Sequence, residues 1–394
     1  MNTNEIQQAV EQILDSTPFI DIHTHLFDPS FGNLSLWGID DLLTYHYIEA
    51  ELFRSSSIRP EAYWILSKEE RADLIWKTLF VENTPLSEAT RGVIAVLQAL
   101  ELDPSAPTLD SFRAFFRKQD LAEHARRIFR LAGVSEVVMT NDLLDPQEQA
   151  RWHEGAERGV GFHAALRLDR ILTETGISGD LSHFLEMSAR NMKAVYMAVS
   201  LPDSFMYPRD DISTRRLRET VLPVCRELGL PLALMIGVRR SVNPAIRSAG
   251  DAAGRADLRS IENLCSKFPD NRFLVTVLSR ENQHELCVYA RKFSNLLPFG
   301  CWWFLNNPSI VEEITRERLE MLGVSFIPQH SDARVLEQLI YKWRNTRRTL
   351  APILADAYKR LAEDGRVVTR AEIQRDVNRL FRGNFEQWTS RRAY

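Results

Sequence analysis

Apolar residues follow two rhythms along the chain. From residue 134 onward, short apolar runs at Glu136–Met139, Gly161–Leu166, Ala194–Val199, Leu232–Ile236, Phe273–Val277, Pro298–Phe304 and Val324–Pro328 alternate with amphipathic stretches such as Asp180–Asn191, Thr214–Leu228, Leu258–Phe268, Asn282–Phe293 and Ile310–Leu322. One further run, Phe19–Ile22, follows Pro18 near the start and makes eight. Apolar strands separated by helices predict a parallel sheet covered on both faces. Eight such units predict an α/β protein of the (β/α)8 barrel type, with a helical insertion after strand one and a helical tail. An open, doubly wound sheet is the competing arrangement. No Gly-x-Gly-x-x-Gly follows any run, which weakens its nucleotide-binding form.

The second rhythm is helical. Residues 2–15 place Ile6, Val10, Ile13 and Leu14 on one side of a helix. Between 40 and 130, Leu42, Leu43, Tyr47 and Ala50, and later Val93, Val96, Leu97 and Leu100, recur at helical spacing with no convincing strand. A block of that size between two strands reads as an insertion rather than a linker. The expected organisation is a barrel from 1–26 and 134–340, a helical insertion at 27–133 covering the active site, and a helical extension at 341–394 packed on the barrel. Within that charged extension, Arg344, Arg347 and Arg348 are expected on its solvated face.

Composition narrows the function classes. The chain of 394 residues is 44% hydrophobic and 26% charged, with a net charge of -4, so no basic surface argues for nucleic acid or an anionic membrane. The N-terminal segment has no basic stretch leading into an apolar core, so no signal peptide is expected. No apolar run reaches the roughly 18 residues of a membrane span. Cys225, Cys265, Cys287 and Cys301 form no Cys-x-x-Cys pair, and reduced thiols in a cytoplasmic protein account for them. A homo-oligomer is left open.

The chemistry gathers at the ends of the runs, where barrels of this type place their active sites. The first run continues into His23 and His25. Side chains two apart on a strand share a face, so both imidazoles can reach one metal ion. Asp332, after the last run, is the candidate third ligand, its alternative being a helix N-cap. Two imidazoles and a carboxylate suit one divalent ion, zinc first, with a position left for water or substrate. Arg167 and Arg334 can grip a carboxylate through forked hydrogen bonds, or serve as ordinary ion-pair residues. Trp302 and Trp303 can wall a pocket, one of them packing in the barrel wall. His330 reads equally as a partner of the site or as a structural histidine. His124, His153, His163, His183 and His284 read as structural.

A His-x-His on strand one and an Asp after strand eight resemble the amidohydrolase superfamily, and within it the uronate isomerase family. The resemblance rests on Asp21 to Leu26, on the pair His46-Tyr47, on Leu166-Arg167-Leu168-Asp169, on Cys301-Trp302-Trp303-Phe304-Leu305-Asn306 and on Ser331-Asp332-Ala333-Arg334, in the family's order. Two positions depart from it: Met235 stands where the family has histidine, and Leu168 where it has proline. The resemblance implies an aldose–ketose isomerisation of a sugar acid of the glucuronate or galacturonate class. It implies Asp332, Tyr47 and His46 as catalytic residues, Arg167, Arg334, Trp302 and Trp303 around the substrate, and His23, His25 and Asp332 on one divalent metal. Competing expectations are a mononuclear metal-dependent hydrolase on the same frame and a sugar-acid-binding relative without catalysis. The two-metal version lacks its usual residues, since strand five carries Met235 and strand six ends at Ser279.

Overall fold

A computed structural model describes residues 1–154, 159, 161–175 and 179–390; the last four residues of the expected C-terminal extension lie outside them. The strands are β1 (Phe19–Thr24), β2 (Val134–Asp142), β3 (Phe162–Arg167), β4 (Met197–Pro202), β5 (Leu232–Arg239), β6 (Ala252–Ala253), β7 (Phe273–Val277) and β8 (Leu296–Pro298). They form one sheet in the order β1-β2-β3-β4-β5-β7-β8. Every neighbouring pair along that path is parallel, while the two-residue β6 pairs antiparallel with the end of β5. Helices separate the strands, and the architecture is an α/β barrel of the (β/α)8 kind.

The last two apolar runs depart from the expected strands. The run expected at Pro298–Phe304 stops being a strand at Pro298 and turns into a short 3-10 segment at Trp303–Leu305. The run Val324–Pro328 makes a single bridge, Phe299 to Ile327, instead of a strand. Pro298 and Pro328 have no N–H to give to a ladder, which limits its length. Individual backbone bonds continue the ring. Ile327 N donates to Pro298 O at 3.0 Å and Gly300 N to Ile327 O at 2.8 Å. Asp332 N donates to His23 O at 3.2 Å and His25 N to Ala333 O at 2.7 Å. The chain end of the barrel therefore meets its beginning at the residues that carry the candidate chemistry.

Strand β1 contains a bulge. Asp21 lies opposite Val137 and Thr24 opposite Met139, so three steps on β1 match two on β2. Strict alternation would put Asp21 on the same face as His23 and His25. The extra residue shifts the phase midway. Ile20 and Ile22 join the barrel-interior cluster with Val138, Ala198, Met235 and Phe299, while Phe19 packs outward with Val137 and Met139. Phe385, from the last described helix, belongs to the same interior cluster and packs against the Tyr196 ring, with centroids 6.1 Å apart.

Between β1 and β2 the described chain is helical, its longest members being Glu88–Ala99 and Leu121–Ala132. The helix Gln338–Glu363 packs on both of them and on the first helix, Thr3–Ser16. Arg347, on this long helix, is not on a solvated face as its sequence context suggested. Its guanidinium is half-buried and donates to the carbonyls of Leu14 (3.1 Å), Ala132 (2.7 Å), Thr17 (3.3 Å) and Gly133 (3.1 Å). It also lies 4.4 Å from the centre of the Phe19 ring. These carbonyls belong to helix ends, where intrahelical donors run out, so one cation serves several at once; that of Gly133 also accepts from Phe19 N at 3.0 Å. A Cβ at position 133 would collide with that guanidinium, and the backbone there is left-handed at φ +65, so glycine suits it twice over.

Arg347→Met should therefore lower unfolding stability by about 2–4 kcal/mol, since several buried carbonyls lose a charged donor together. Chemical denaturation of wild type and variant measures this; an unchanged midpoint would mean that water replaces the guanidinium.

Candidate functional site

His23 and His25 are positioned by β1, and each is oriented by a hydrogen bond at its far nitrogen. His23 Nδ1 lies 3.0 Å from the Tyr196 hydroxyl, which itself donates to Ile22 O at 2.7 Å. With its one proton committed, that hydroxyl can only accept, so His23 carries its hydrogen on Nδ1. The same logic holds one turn along. His25 Nδ1 lies 2.9 Å from Thr140 Oγ1, which donates to Thr24 O at 2.8 Å. Both rings are thereby held in the tautomer that leaves a lone pair on Nε2.

Those lone pairs face Asp332. Its Oδ1 is 3.3 Å from His25 Nε2 and 4.0 Å from His23 Nε2, and the three ligand atoms lie within 4.8 Å of one another. Burial pushes His23 down to about 3, only partly opposed by the Asp332 carboxylate, and pushes His25 well below the ordinary histidine range. The rings are neutral at physiological pH, so no hydrogen joins either Nε2 to the carboxylate. Asp332 Oδ1 is buried with no hydrogen-bond partner among the described residues. Two imidazole lone pairs and a bare carboxylate oxygen held face to face repel unless a cation lies between them. Donors around a tetrahedral ion with bonds of about 2.0–2.1 Å stand about 3.4 Å apart, so the His25–Asp332 spacing already matches and the wider separations would have to close by about an ångström. The cluster can hold a metal ion. Asp332 caps no helix, because the next one starts at Gln338 with Glu337 at its N-cap. Asp332 is also held at a left-handed φ of 53, a conformation that a non-glycine residue keeps only when its surroundings impose it.

The other expected residues surround this cluster. His46 opens the helix His46–Ser55, and Tyr47 follows it. His46 Nε2, Tyr47 Oη and Trp303 Nε1 are all buried with no hydrogen-bond partner among the described residues. The His46 and Trp303 rings meet edge to face at 5.6 Å. Burial pushes His46 down to about 3 and raises Tyr47, so both are neutral. Buried polar atoms left unpaired around one spot are the usual mark of a place a ligand completes. Trp302 and Trp303 both belong to the barrel-interior cluster with Phe299 and Met235, and Trp303, at a positive φ of 47, is the one whose ring meets His46.

Arg334 is exposed, and its guanidinium makes no hydrogen bond or ion pair among the described residues, although its charge helps to depress His25 and His46. Arg167 reaches the same region, since its charge also lowers His23 and His25. Its Nε is taken by Asp169, and its two terminal nitrogens have no partner among the described residues. His330, completely buried, packs its ring 5.5 Å from that of His23, with both nitrogens unpartnered among the described residues. A Cβ on Gly300 would collide with the His330 ring, so glycine makes room for it. A separate cleft lined by Trp37, Asp40, Lys68, Arg113 and Phe116 lies on the helical block, holds none of these residues, and has its Asp40 and Arg113 charges paired.

Several contributors escaped the sequence reading. Tyr196 sits inside an apolar run with nothing to distinguish it from core. Thr140, near the end of β2, is an ordinary strand residue in the sequence and gains its role only through its hydrogen bond to His25. Glu148 is buried beside Asn141 Nδ2 and Asp142 N, both 3.1 Å from its Oε2, and burial raises it to about 7. Its charge adds to the field around Arg167. Arg240, just beyond β5, stands 5.5 Å from the Trp303 ring centre and pairs with Asp251 at 2.5 Å.

No protein-family model matches the chain, and no curated protein matches it. Among solved structures, a uronate isomerase from Bacillus halodurans superposes with a TM-score of 0.96 at 46% identity, covering 100% of this chain and 98% of that one. A uronate isomerase from Thermotoga maritima (TM-score 0.76, 15% identity, 97% of each chain) and a glucuronate isomerase from Caulobacter crescentus (TM-score 0.77, 15% identity, 98% of this chain and 94% of that one) share the fold.

Glu148 generates a pH test. A carboxyl at about 7 in the folded protein against 4.5 ordinarily means that folding favours its protonated form. The stability it contributes is present below 4.5 and is lost as pH rises through about 7. Glu148→Gln keeps an acceptor for both N–H donors and cannot ionise. The melting temperature of the variant relative to wild type should accordingly be near zero at pH 5 and grow positive by pH 8. A flat difference would show that Glu148 titrates normally.

Proposed function

The chain belongs to the uronate isomerase family, and we propose that it interconverts an open-chain uronic acid, of the glucuronate or galacturonate class, with its 2-keto isomer. The observation that carries this reading is the 46% identity to a uronate isomerase across the full length of both chains. The polar residues around His23, His25 and Asp332 support it in chemical detail.

The reaction moves a proton from C2 to C1 and the hydroxyl proton of C2 to the C1 oxygen. Arg334, without an internal partner, and the free ends of Arg167 grip the distant carboxylate through charge-assisted bonds. Trp303 closes one side of the sugar. Asp332 and Tyr47 are the groups that take and return the carbon-bound proton. His46, kept neutral by burial, offers Nε2 to a substrate hydroxyl. Met235, buried in the barrel interior, has no titratable proton and leaves this work to the others. A divalent ion, zinc first given two imidazoles and a carboxylate, would be held by His23, His25 and Asp332 and would supply positive charge at the carbonyl oxygen.

Arg334→Met should raise KM for a hexuronate about 10- to 100-fold, the worth of one charged hydrogen bond, when ketose formation is assayed. The same assay run on neutral sugars, lactones and esters decides the class: turnover of these at the rate of uronates would replace the isomerase reading with a hydrolase.

The hydroxyl of Tyr196 fixes the His23 tautomer, so Tyr196→Phe should weaken zinc binding about 10-fold or more in a competition titration with a chromophoric chelator. Unchanged affinity in that variant and in His23→Ala would remove the metal assignment.

A further inference from the structure

Lys342 stands where a lysine is expensive. It lies on the helix Gln338–Glu363, is only 4% exposed, and makes no ion pair within 4 Å and no side-chain hydrogen bond among the described residues. Its ammonium instead rests against two aromatic faces, 5.4 Å from the centre of the Tyr47 ring and 5.6 Å from that of Tyr341. Around it stand Glu88, His46 and His330, each of which feels its charge. A buried, unpaired cation destabilises a fold, and an apolar side chain of similar length would fill the same space without that penalty. Charge retained at such a place is more readily explained by work than by packing.

We infer that Lys342 is a positioning residue for Tyr47, which holds the ring by its face and places a fixed positive charge behind the phenol during proton transfer. This rests on the reading of Tyr47 as a proton-transfer group. When the phenol gives up its proton, negative charge spreads into the ring, and the ammonium at its face attracts it more strongly than it attracted the neutral ring. The interaction therefore grows between bound substrate and transition state and acts on turnover rather than binding. Tyr47 gives its proton to C1 while Asp332 takes the one from C2, and the proton on Asp332 then passes back to Tyr47, so no further reactant is needed.

The test is a cycle of Lys342→Met, Tyr47→Phe and the double variant, each assayed for ketose formation from a hexuronate and melted in parallel. Lys342→Met should lower kcat about tenfold or more and leave KM within about twofold, with a melting temperature equal to or above wild type. Lys342→Arg should recover most of the turnover, because it restores the charge. In the Tyr47→Phe background, Lys342→Met should cost nothing further. Wild-type kcat in Lys342→Met beside a large loss in Tyr47→Phe overturns this inference alone, as does an additive double variant or a loss confined to melting temperature. Wild-type kcat in Tyr47→Phe overturns the role given to Tyr47 and this inference with it. If Lys342→Met does not fold, Lys342→Gln and Lys342→Arg carry the same comparison, Gln losing turnover and Arg keeping it.

Discussion

The carboxylate of Asp21 is the joint on which the site depends. It is completely buried, with Ser331 N donating to Oδ1 at 3.0 Å and Trp343 Nε1 donating to Oδ2 at 2.9 Å. Burial pushes it up to about 6, and these donors pull it down only in part. One side chain thus ties the first strand to the loop before Asp332 and to the long helix that carries Lys342. The histidines and the aspartate of the metal-type cluster come from residues about three hundred positions apart. Their separation is set by two backbone hydrogen bonds and this carboxylate. A carboxylate serves here because it accepts from two directions at once, which an amide with one oxygen does less symmetrically.

The bulge in β1 makes that joint compatible with the chemistry. Without it, Asp21 would share a face with His23 and His25 and would compete with Asp332 for whatever lies between them. With it, the same five-residue stretch presents an acceptor outward and two ligands inward. Tyr196 and Thr140 then turn each ring so that only Nε2 is available. The site is prepared in the resting protein by groups that never touch a substrate, and neutral imidazoles follow from burial.

Much of this was legible in the chain, for a local reason. Short continuous apolar runs and stretches with period 3.6 report on backbone geometry over a few residues, so most strands and their intervening helices could be read directly. His-x-His is equally local. The chain does not announce contacts that span it. Arg347 looked like surface because its neighbours are charged, whereas its partners are carbonyl ends of other helices. Tyr196 looked like core because its role is exerted on a ring 173 residues away. The bulge was hidden because the breaks in alternation, Phe19-Ile20 and His23-Thr24, are ordinary in a strand buried on both faces. The final two strands were overestimated because apolar content was read where proline withholds the donor.

Phe385 fills the barrel interior from the last described helix, and Phe381 stacks on Phe19 with centroids 3.7 Å apart. Asn384 donates to the carbonyls of Val324 and Phe326, at 2.7 and 2.8 Å. The first strand made by the ribosome is therefore among the last to be covered. Phe19 shares a cluster with Val134 and Ile20 with Val138, but the Phe381 ring that stacks on Phe19 arrives only late. Contacts of such long sequence separation slow folding, and an apolar strand left waiting is a natural target for holding chaperones. A chain cut short of residue 385 would leave the barrel interior open where the Phe385 ring closes it, so the fold is completed only when that residue arrives.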